Sequence, residues 1–350
     1  MKIIYSSLHY TNLNPSLGES FEYMDFYKSL VKIKGAEIIF IPFDGILEKG
    51  RKRWNQELLE TIQREKPDLF FAFMFTDELD PKILEEIKKE TTSIAWFSDD
   101  HWRFDNYSKN YAPHFSWVVT TYSQAVKKYE RMGIRNVIRS QWASDPEIYK
   151  PVKWTGKDAP PEVSFVGLWS GPRARMIKEL KKAGIPVVVY GRGWEGGKIS
   201  QEKMLEIFSN SKINLALNPA PGYFNANSLG RLFFRRSMNK IIPDFHLVNN
   251  FRSLISRKIP QIKARHFEIP ACGGFLMTSM ANDLENYYIP GKEMVIYENT
   301  DDLIEKIRYY LTRDAEREAI RESGQKRTTE EHTYNKRFGE IFGFLEKNIG

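Results

Sequence analysis

Short apolar runs alternate with longer amphipathic stretches along most of the chain, and this alternation restricts its fold more than any other feature. The apolar runs have strand length, and the stretches between them repeat apolar residues at helical spacing. Regular strand–helix alternation predicts an α/β protein with parallel, doubly wound sheets and crossover helices. The predicted strands cover residues 2–5, 37–42, 68–75, 93–97, 117–121, 136–140, 163–167, 187–190, 213–217, 275–278 and 294–297.

A proline-rich segment at residues 149–162 divides this alternation into two parts. It contains three prolines and a glycine and has no helical or strand periodicity, which is typical of a linker. A chain of 350 residues is also long enough for two hydrophobic cores. We therefore expect one Rossmann-like domain at 1–150, a linker at 151–162, and a second domain from 163 to 334.

The stretch from 218 to 262 interrupts the rhythm of the second domain. It is too long for an ordinary connection between a helix and a strand. It also carries three closely spaced arginines, Arg231, Arg235 and Arg236. The sequence does not assign a role to this stretch.

Composition narrows the class of protein. The chain is 41% hydrophobic and 28% charged, as in soluble globular proteins, and its densest apolar run, 69–75, is too short for a membrane helix. The single cysteine, Cys272, fits a reducing cytoplasm, and the chain enters a predicted strand at residue 2, so we expect no signal peptide. The net charge of +7 indicates an anionic partner. Nucleotide phosphates or an anionic membrane surface fit it better than nucleic acid, because the basic residues are mixed with acidic ones.

Polar residues follow several predicted strands of the first domain, where ligands bind in open α/β sheets. His9 follows the first strand, Asp77 follows 68–75, and Asp99, Asp100 and His101 follow 93–97. Two carboxylates and an imidazole could supply a general base for a hydroxyl group. A helix cap in a solvated turn explains the same triplet, and a metal site would need more ligands than this pattern offers.

Two glycine-containing loops follow strands of the second domain. Gly167 and Arg173 lie between a strand and a helix, and Gly191 and Arg192 form a similar loop after the next strand. Glycines allow the backbone to approach a phosphate, and an arginine can neutralise it. Tight turns with solvent-exposed arginines explain both loops equally well.

The run from 263 to 274 combines charge, helical spacing and a glycine exit. Lys263 and Arg265 begin a short helical stretch, Glu268 follows, and Gly273 and Gly274 lead into an apolar strand. Cations near a helix start can hold phosphates, and a carboxylate can accept hydrogen bonds from two ribose hydroxyls. Arg265 and Glu268 are three residues apart on one helix face, so an ion pair within the helix is the alternative.

The same run carries a family resemblance. It resembles the Arg-x-Phe-Glu-x-x-Ala-Cys-Gly signature of the CgeB-like, spore-maturation type glycosyltransferases, a branch of the GT-B superfamily and of the group 1 glycosyl transferases. The resemblance to the family is strong from Lys263 onward and weak over the first 60 residues. Further segments that match the family are 96–100, 165–167, 290–293, Tyr297, 301–303, 309–311, 331–334 and Arg337.

The resemblance implies a GT-B fold, in which two Rossmann-like domains face a central cleft. A nucleotide-diphosphate sugar, linked to UDP or GDP, would be held by the C-terminal domain, and the acceptor would approach from the N-terminal domain, with His9 and Asp77 on its side. A C-terminal helix at 335–350 would cross back to the N-terminal domain. By position, Glu268 would hold the ribose, Arg173 the diphosphate, and Arg265 with Gly273–Gly274 would line the donor pocket.

One departure concerns the mechanism. Many related enzymes carry a Glu-x7-Glu pair, but Pro260 stands eight residues before Glu268, so the stereochemical outcome stays open.

We expect a hexosyltransferase-like enzyme that needs no metal or other cofactor and works in the cytoplasm or at the inner membrane face. Its acceptor would be a glycan, lipid-linked or other hydroxyl compound, in surface or secreted glycan synthesis. An inactive nucleotide-sugar-binding scaffold and a DNA-modifying glycosyltransferase are the alternatives.

Overall fold

The computed structural model describes residues 1–218 and 226–349. Among these residues, no helix is long and apolar enough to cross a membrane. The strands are β1 (Lys2–Ser6), β2 (Glu37–Phe40), β3 (Leu69–Phe73), β4 (Thr92–Phe97), β5 (Trp117–Thr120), β6 (Val137–Arg139), β7 (Val163–Val166), β8 (Val187–Tyr190), β9 (Ile213–Ala216), β10 (Phe234–Ser237), β11 (Lys240–Pro243), β12 (Leu276–Ser279) and β13 (Val295–Tyr297).

Helices connect the strands in the order that the alternation predicts. The α-helices are α1 (Lys28–Leu30), α2 (Ile46–Lys49), α3 (Arg51–Glu65), α4 (Pro81–Glu90), α5 (Asp100–Arg103), α6 (Lys109–Tyr111), α7 (Ser123–Arg131), α8 (Gly171–Lys182), α9 (Gln201–Asn210), α10 (Ala226–Phe233), α11 (Leu247–Ser256), α12 (Arg265–Ala271), α13 (Thr300–Leu311), α14 (Asp314–Glu331) and α15 (Tyr334–Ile349). Two π-helices (Glu22–Tyr27 and Phe104–Ser108) precede α1 and follow α5, and short 3₁₀ turns complete the loops.

The first compact unit contains a six-stranded sheet with the order β2-β1-β3-β4-β5-β6, and every pair in it is parallel. Its central strands are apolar throughout: all five residues of β3 are buried. Burial on both faces is what a parallel sheet covered by helices requires. The unit comprises residues 1–141, residues 337–350 and the described part of 223–257.

The end of the chain packs on this first unit. In α15, the Phe338 ring lies 5.5 Å from the ring of Phe26 and 6.2 Å from that of Phe71, and Phe344 lies against Trp117. Aromatic edge-to-face contacts of this kind bury large apolar area and fix the helix on the sheet.

The second unit comprises the described residues of 142–222 together with 258–336. Its sheet has the order β13-β12-β9-β7-β8 and is also parallel throughout. Apolar side chains from both faces form two layers, one under α8 and α13 and one under α9 and α12. Two Rossmann-like domains with parallel sheets are therefore present, as predicted, and all eleven predicted strands are found.

The stretch from 218 to 262 differs from its predicted assignment to the second domain. Its residues 219–225 lie outside the described residues, and the rest forms α10, a hairpin of β10 and β11, and α11. This part, 226–257, clusters with the first unit and is called the insertion below. Hydrogen bonds hold it there: the Met238 amide donates to Thr76 Oγ1 at 2.9 Å, and Ser237 Oγ donates to Asp77 at 2.8 Å.

Candidate functional site

The carboxyl edge of the second sheet carries an open cavity of about 730 Å³. Parallel strands place their carboxyl ends on one edge, and ligands of α/β proteins bind there. One face of α8 and the residues that follow β9, β12 and β13 form its walls. The lining residues are Pro172, Arg175, Met176, Glu179, Asn218, Pro260, Ser279, Met280 and Ile296–Thr300.

Three polar groups in this cavity make no hydrogen bond with the described residues: the Tyr297 hydroxyl, Ser279 Oγ and Asn218 Nδ2. Tyr297 is only 2% exposed, and burial raises the pKa of its phenol to about 12, so the hydroxyl keeps its proton at neutral pH. Buried polar groups in folded proteins are nearly always paired. Ser279 and the Asn218 backbone lower the pKa of the Tyr297 phenol, so these groups form one polar cluster on the cavity wall.

The sequence patterns do not single out these cavity residues, and Tyr297 enters only through the family resemblance. Each of the three nevertheless stands at or just after the end of a strand, which is the position where ligands bind in α/β sheets.

Arg173 lies beside the cavity, in the first turn of α8. Its guanidinium donates to two carbonyl oxygens, that of Leu217 at 2.9 Å and that of Leu168 at 2.7 Å, and thus bridges the loops after β9 and β7. Burial lowers the pKa of Arg173; Tyr297 raises it and Arg265 lowers it further. An arginine nevertheless stays charged in a protein. Arg265 is therefore near enough to Arg173 for the two positive charges to repel each other.

Arg265 and Glu268 form the ion pair that was the alternative interpretation of the sequence. Arg265 Nη1 binds Glu268 Oε2 within one turn of α12. The Glu268 side chain is only 3% exposed, and the Arg265 guanidinium lies 5.0 Å from the centre of the Phe208 ring. Lys263 precedes the helix and is exposed. The ribose role of Glu268 stays a prediction.

His266, which sequence analysis did not select, fixes the start of α12. Its ring is fully buried, with Nε2 3.0 Å from Thr278 Oγ1, and the Thr278 hydroxyl donates to the Ala216 carbonyl of β9 at 3.1 Å. Thr278 therefore accepts from Nε2–H, which leaves Nδ1 to accept from the Lys263 amide at 3.0 Å. Burial lowers the pKa of His266 to about 4, so this chain of hydrogen bonds contains a neutral imidazole.

Gly273 and Gly274 lie at the opposite edge of the sheet. Because α12 runs antiparallel to the strands, its C-terminus meets the amino end of β12. A Cβ on Gly274 would stand 2.5 Å from the Phe208 carbonyl oxygen, and Gly273 has φ +68° and accepts from Arg321 Nε at 2.6 Å. The glycine pair allows a close turn under α9, and the structure does not bring it to the cavity.

The two glycine loops after β7 and β8 pair with each other. Gly167 N donates to the Tyr190 carbonyl at 2.9 Å, and a Cβ on Gly191 would stand 2.1 Å from the Gly167 carbonyl oxygen. Gly191 also has φ +127°, a backbone conformation that favours glycine. Close approach of the two loops thus explains both glycines, and the Arg192 side chain is exposed.

In the first unit, the acidic triplet after β4 separates into inner and outer residues. Asp100 is fully buried and accepts a hydrogen bond from the Tyr129 hydroxyl at 2.9 Å, and burial raises its pKa to about 6. His101 is buried beside the ring of Tyr122. Asp99 is partly exposed, so it is the one member of the triplet with access to a ligand.

Asp99 also has cationic neighbours from the insertion. It raises the pKa values of Arg231 and Arg257, which burial lowers. The guanidinium groups of both arginines lie 5.5 Å from the Trp102 ring. Asp99 thus occupies a basic, partly exposed position.

Asp77 and His9, predicted on the acceptor side, have different surroundings. Asp77 is buried and accepts from Arg235 Nη1 at 3.2 Å and Ser237 Oγ at 2.8 Å, so it anchors the hairpin of the insertion. The half-buried His9 ring stacks on Tyr10, with 4.1 Å between ring centres, and its Nε2 lies 3.8 Å from Glu19. His9 therefore keeps a partly open position after β1.

Comparison with known proteins gives one family match. Residues 173–343 match the family model described as glycosyl transferase-like. No curated protein sequence matches the chain. The matched segment begins at Arg173 and includes the carboxyl-edge residues of β9, β12 and β13.

Solved structures match over nearly the whole chain. They include sucrose-phosphate synthase from Thermosynechococcus elongatus (TM-score 0.62, 11% identity) and Anabaena Alr3699/HepE in complex with UDP (TM-score 0.62, 10% identity). The lipopolysaccharide outer core galactosyltransferase WaaB in its apo form follows (TM-score 0.54, 13% identity). Each comparison covers 99% of this chain and 100% of the other. The chain thus has the GT-B fold of these glycosyltransferases.

Proposed function

We propose that this protein is a CgeB-like glycosyltransferase that moves a sugar from a UDP- or GDP-linked donor to an acceptor hydroxyl. The observation that carries the proposal is the cavity at the carboxyl edge, where Arg173 bridges two loops and lies near Arg265, inside the segment that matches the glycosyl transferase-like family. Two cations beside a cluster of polar groups suit a diphosphate. The HepE structures with UDP and with UDP-glucose support a nucleotide-sugar donor.

The Arg265–Glu268 ion pair of α12 would open when the donor binds. A diphosphate near Arg265 would compete with Glu268 for the guanidinium, because both are anions. Glu268 would then have free lone pairs for the ribose hydroxyls. His266 would hold the backbone of this turn in place, since its hydrogen bonds tie α12 to β12 and β9.

The proposed reaction is a displacement at the anomeric carbon. The acceptor oxygen forms a bond to that carbon, and the bond from the carbon to the diphosphate oxygen breaks. Arg173 and Arg265 stabilise the negative charge of the leaving diphosphate. The hydroxyl proton passes to a carboxylate, for which Asp99 is the proposed group because Asp100 is buried.

Donor binding and turnover test the proposal together. The purified protein is incubated with UDP- and GDP-sugars, and thermal stability and nucleotide release are measured with and without a chelator. We expect one donor to raise the melting temperature and to be turned over, with no effect of the chelator. Loss of turnover on chelation would contradict metal independence, and binding without any nucleotide release would favour the inactive scaffold.

Glu268→Gln should weaken the affinity for that donor by about tenfold or more, since a charge-assisted hydrogen bond contributes on the order of 2 kcal/mol. The matched control is Glu330→Gln, because Glu330 is exposed on α14. Equal donor affinity in the Glu268 variant and the control would refute the ribose role.

The structure gives the DNA-modifying alternative less support than the sequence did. Arg235 pairs with Asp77, and Arg236 donates to Asn12 Oδ1 at 2.7 Å, so two of the three clustered arginines have protein partners. Salt-sensitive binding to duplex DNA would revive this alternative.

A further inference from the structure

We propose that the insertion, residues 226–257, is a docking surface for an anionic lipid bilayer. It would bind through an outward apolar stripe on α11, the apolar face of the β10–β11 hairpin and the basic side chains around them. This inference does not depend on the catalytic activity proposed above. It assigns a partner to the stretch that the sequence left without a role.

Helix α11 buries two polar side chains together with Leu254. Asn250, which is 2% exposed, accepts from Asn106 Nδ2 at 3.1 Å and donates to the Leu232 carbonyl at 3.1 Å, and Ser253 is buried as well. Val248 is 66% exposed and Phe251 is 53% exposed. In an ordinary surface helix, large apolar side chains such as Val248 and Phe251 face inward.

The exposed residues of α11 form one continuous stripe. Leu247, Phe251 and Ile255 follow one another at intervals of four, so they lie on one helix face, and Val248 lies beside them. All four side chains are exposed. The stripe runs along two turns of the helix.

The hairpin before α11 adds further exposed apolar groups. Arg235 and Ser237 reach Asp77 from one face of the hairpin. Phe234 and Ile241 are on the other face, because strand residues alternate and because Ile241 pairs with Arg236. Ile241 is 77% exposed, and Phe245, just after the hairpin, is 80% exposed.

This concentration is not ordinary surface scatter. Nine of the nineteen exposed large hydrophobic residues among those described belong to the insertion. Isolated exposed apolar residues need no explanation, but a contiguous set marks an interaction surface. The nine residues are Leu229, Phe233, Phe234, Ile241, Phe245, Leu247, Val248, Phe251 and Ile255.

The positive charge of the insertion favours an anionic bilayer over a second copy of this chain as the partner. The insertion contains six basic residues and a single acidic one, Asp244, which is buried. Exposed cations such as Lys240 and Arg252 around an apolar face match the headgroups and the acyl boundary of an anionic membrane. The four other cations contact the first unit through Asp77, Asn12 and Trp102, so Lys240 and Arg252 supply the outward charge. A symmetric dimer through the same surface would instead bring these two cations against their own copies. The bilayer therefore fits both properties of the surface, and a second copy fits only one.

Vesicle co-sedimentation with the full chain tests the proposal. Vesicles of phosphatidylcholine alone are compared with vesicles that also contain phosphatidylglycerol, at low and high salt. We expect binding to the anionic vesicles, weaker binding to the neutral ones, and a decrease with salt. Absence of binding to anionic vesicles at low salt would overturn the proposal.

Two variants separate the apolar and the electrostatic contributions. The double variant Val248→Ser with Phe251→Ser should lower the partition coefficient by about tenfold or more, and Lys240→Gln with Arg252→Gln by about fivefold or more. The control for the apolar variant is Leu47→Ser, and the control for the basic variant is Lys181→Gln with Lys182→Gln. Both change exposed residues elsewhere, so vesicle binding should be unchanged. Equal vesicle binding by the variants and the controls would refute the membrane role of this surface. Sedimentation velocity tests the dimer instead. The proposal also fails if the parent protein is a dimer and the apolar variant is a monomer that binds vesicles as the parent does.

Discussion

At the scale of single residues, burial separates side chains that the sequence places together. Asp99 and Asp100 are neighbours in the chain, yet Asp99 is partly exposed beside two arginines whereas Asp100 is buried against Tyr129. The sequence favoured both as catalytic groups. The structure leaves Asp99 as the stronger candidate, because a general base must reach the proton of its substrate.

Asp99→Asn should therefore reduce turnover of the identified donor by about a hundredfold with little change in donor affinity. Asp100→Asn should instead lower thermal stability and leave most of the turnover. Steady-state kinetics and thermal melts of both variants check this. Larger loss of turnover in the Asp100 variant would reverse the assignment.

His266 makes a second prediction at this scale. Its pKa is 6.5 in the unfolded chain and about 4 in the folded one, so between these values the unfolded chain binds a proton that the folded chain does not. The contribution of neutral His266 to stability is therefore fully present above pH 6.5. As the pH falls toward 4, the free energy of unfolding decreases by about 3 kcal/mol through this group.

Chemical denaturation at pH 7 and pH 4.5 measures this loss. His266→Gln should show a smaller decrease in the free energy of unfolding than the parent protein, because the other groups contribute equally to both. Parallel pH dependence in the variant and the parent protein would disprove the assignment.

At the scale of secondary structure, the direction of α12 decides which end of the run from 263 to 274 lies at the carboxyl edge. Its first turn carries Arg265 at the carboxyl edge, and its last residue leads to Gly273 and Gly274 at the amino edge. The two ends of this short motif thus lie at opposite edges of the sheet. Its arginine belongs to the candidate site, and its glycines belong to the packing of α9 and β12.

Gly274→Ala should destabilise the protein by about 2 kcal/mol, because the added Cβ would overlap the Phe208 carbonyl and the neighbouring Ile269 side chain. Gly339→Ala is the matched control. That glycine lies within α15 with open space around it, and alanine is the better helix former there. Denaturation curves of the two variants check the contrast, and equal stability would show that the turn under α9 relaxes freely.

At the scale of the whole molecule, the chain folds as two units that do not follow its order. The first unit takes residues from the start, the middle and the end of the sequence. As a result, the basic insertion and α15 belong to the same unit as Asp99. A membrane bound to the insertion would therefore bind the unit that carries the proposed acceptor-side base.

The sequence by itself determined the two parallel sheets and their eleven strands, because strand and helix periodicities are local properties of neighbouring residues. It also indicated the class of protein through the run from 263 to 274. Only the tertiary structure decided that Arg265 is paired with Glu268, that Asp77 anchors a hairpin, and that Tyr297, Ser279 and Asn218 share a cavity. These are contacts between distant segments or states of burial, and no local pattern encodes them. The outward apolar stripe of α11 has the same origin, since a helix face is outward only where the rest of the first unit leaves it uncovered.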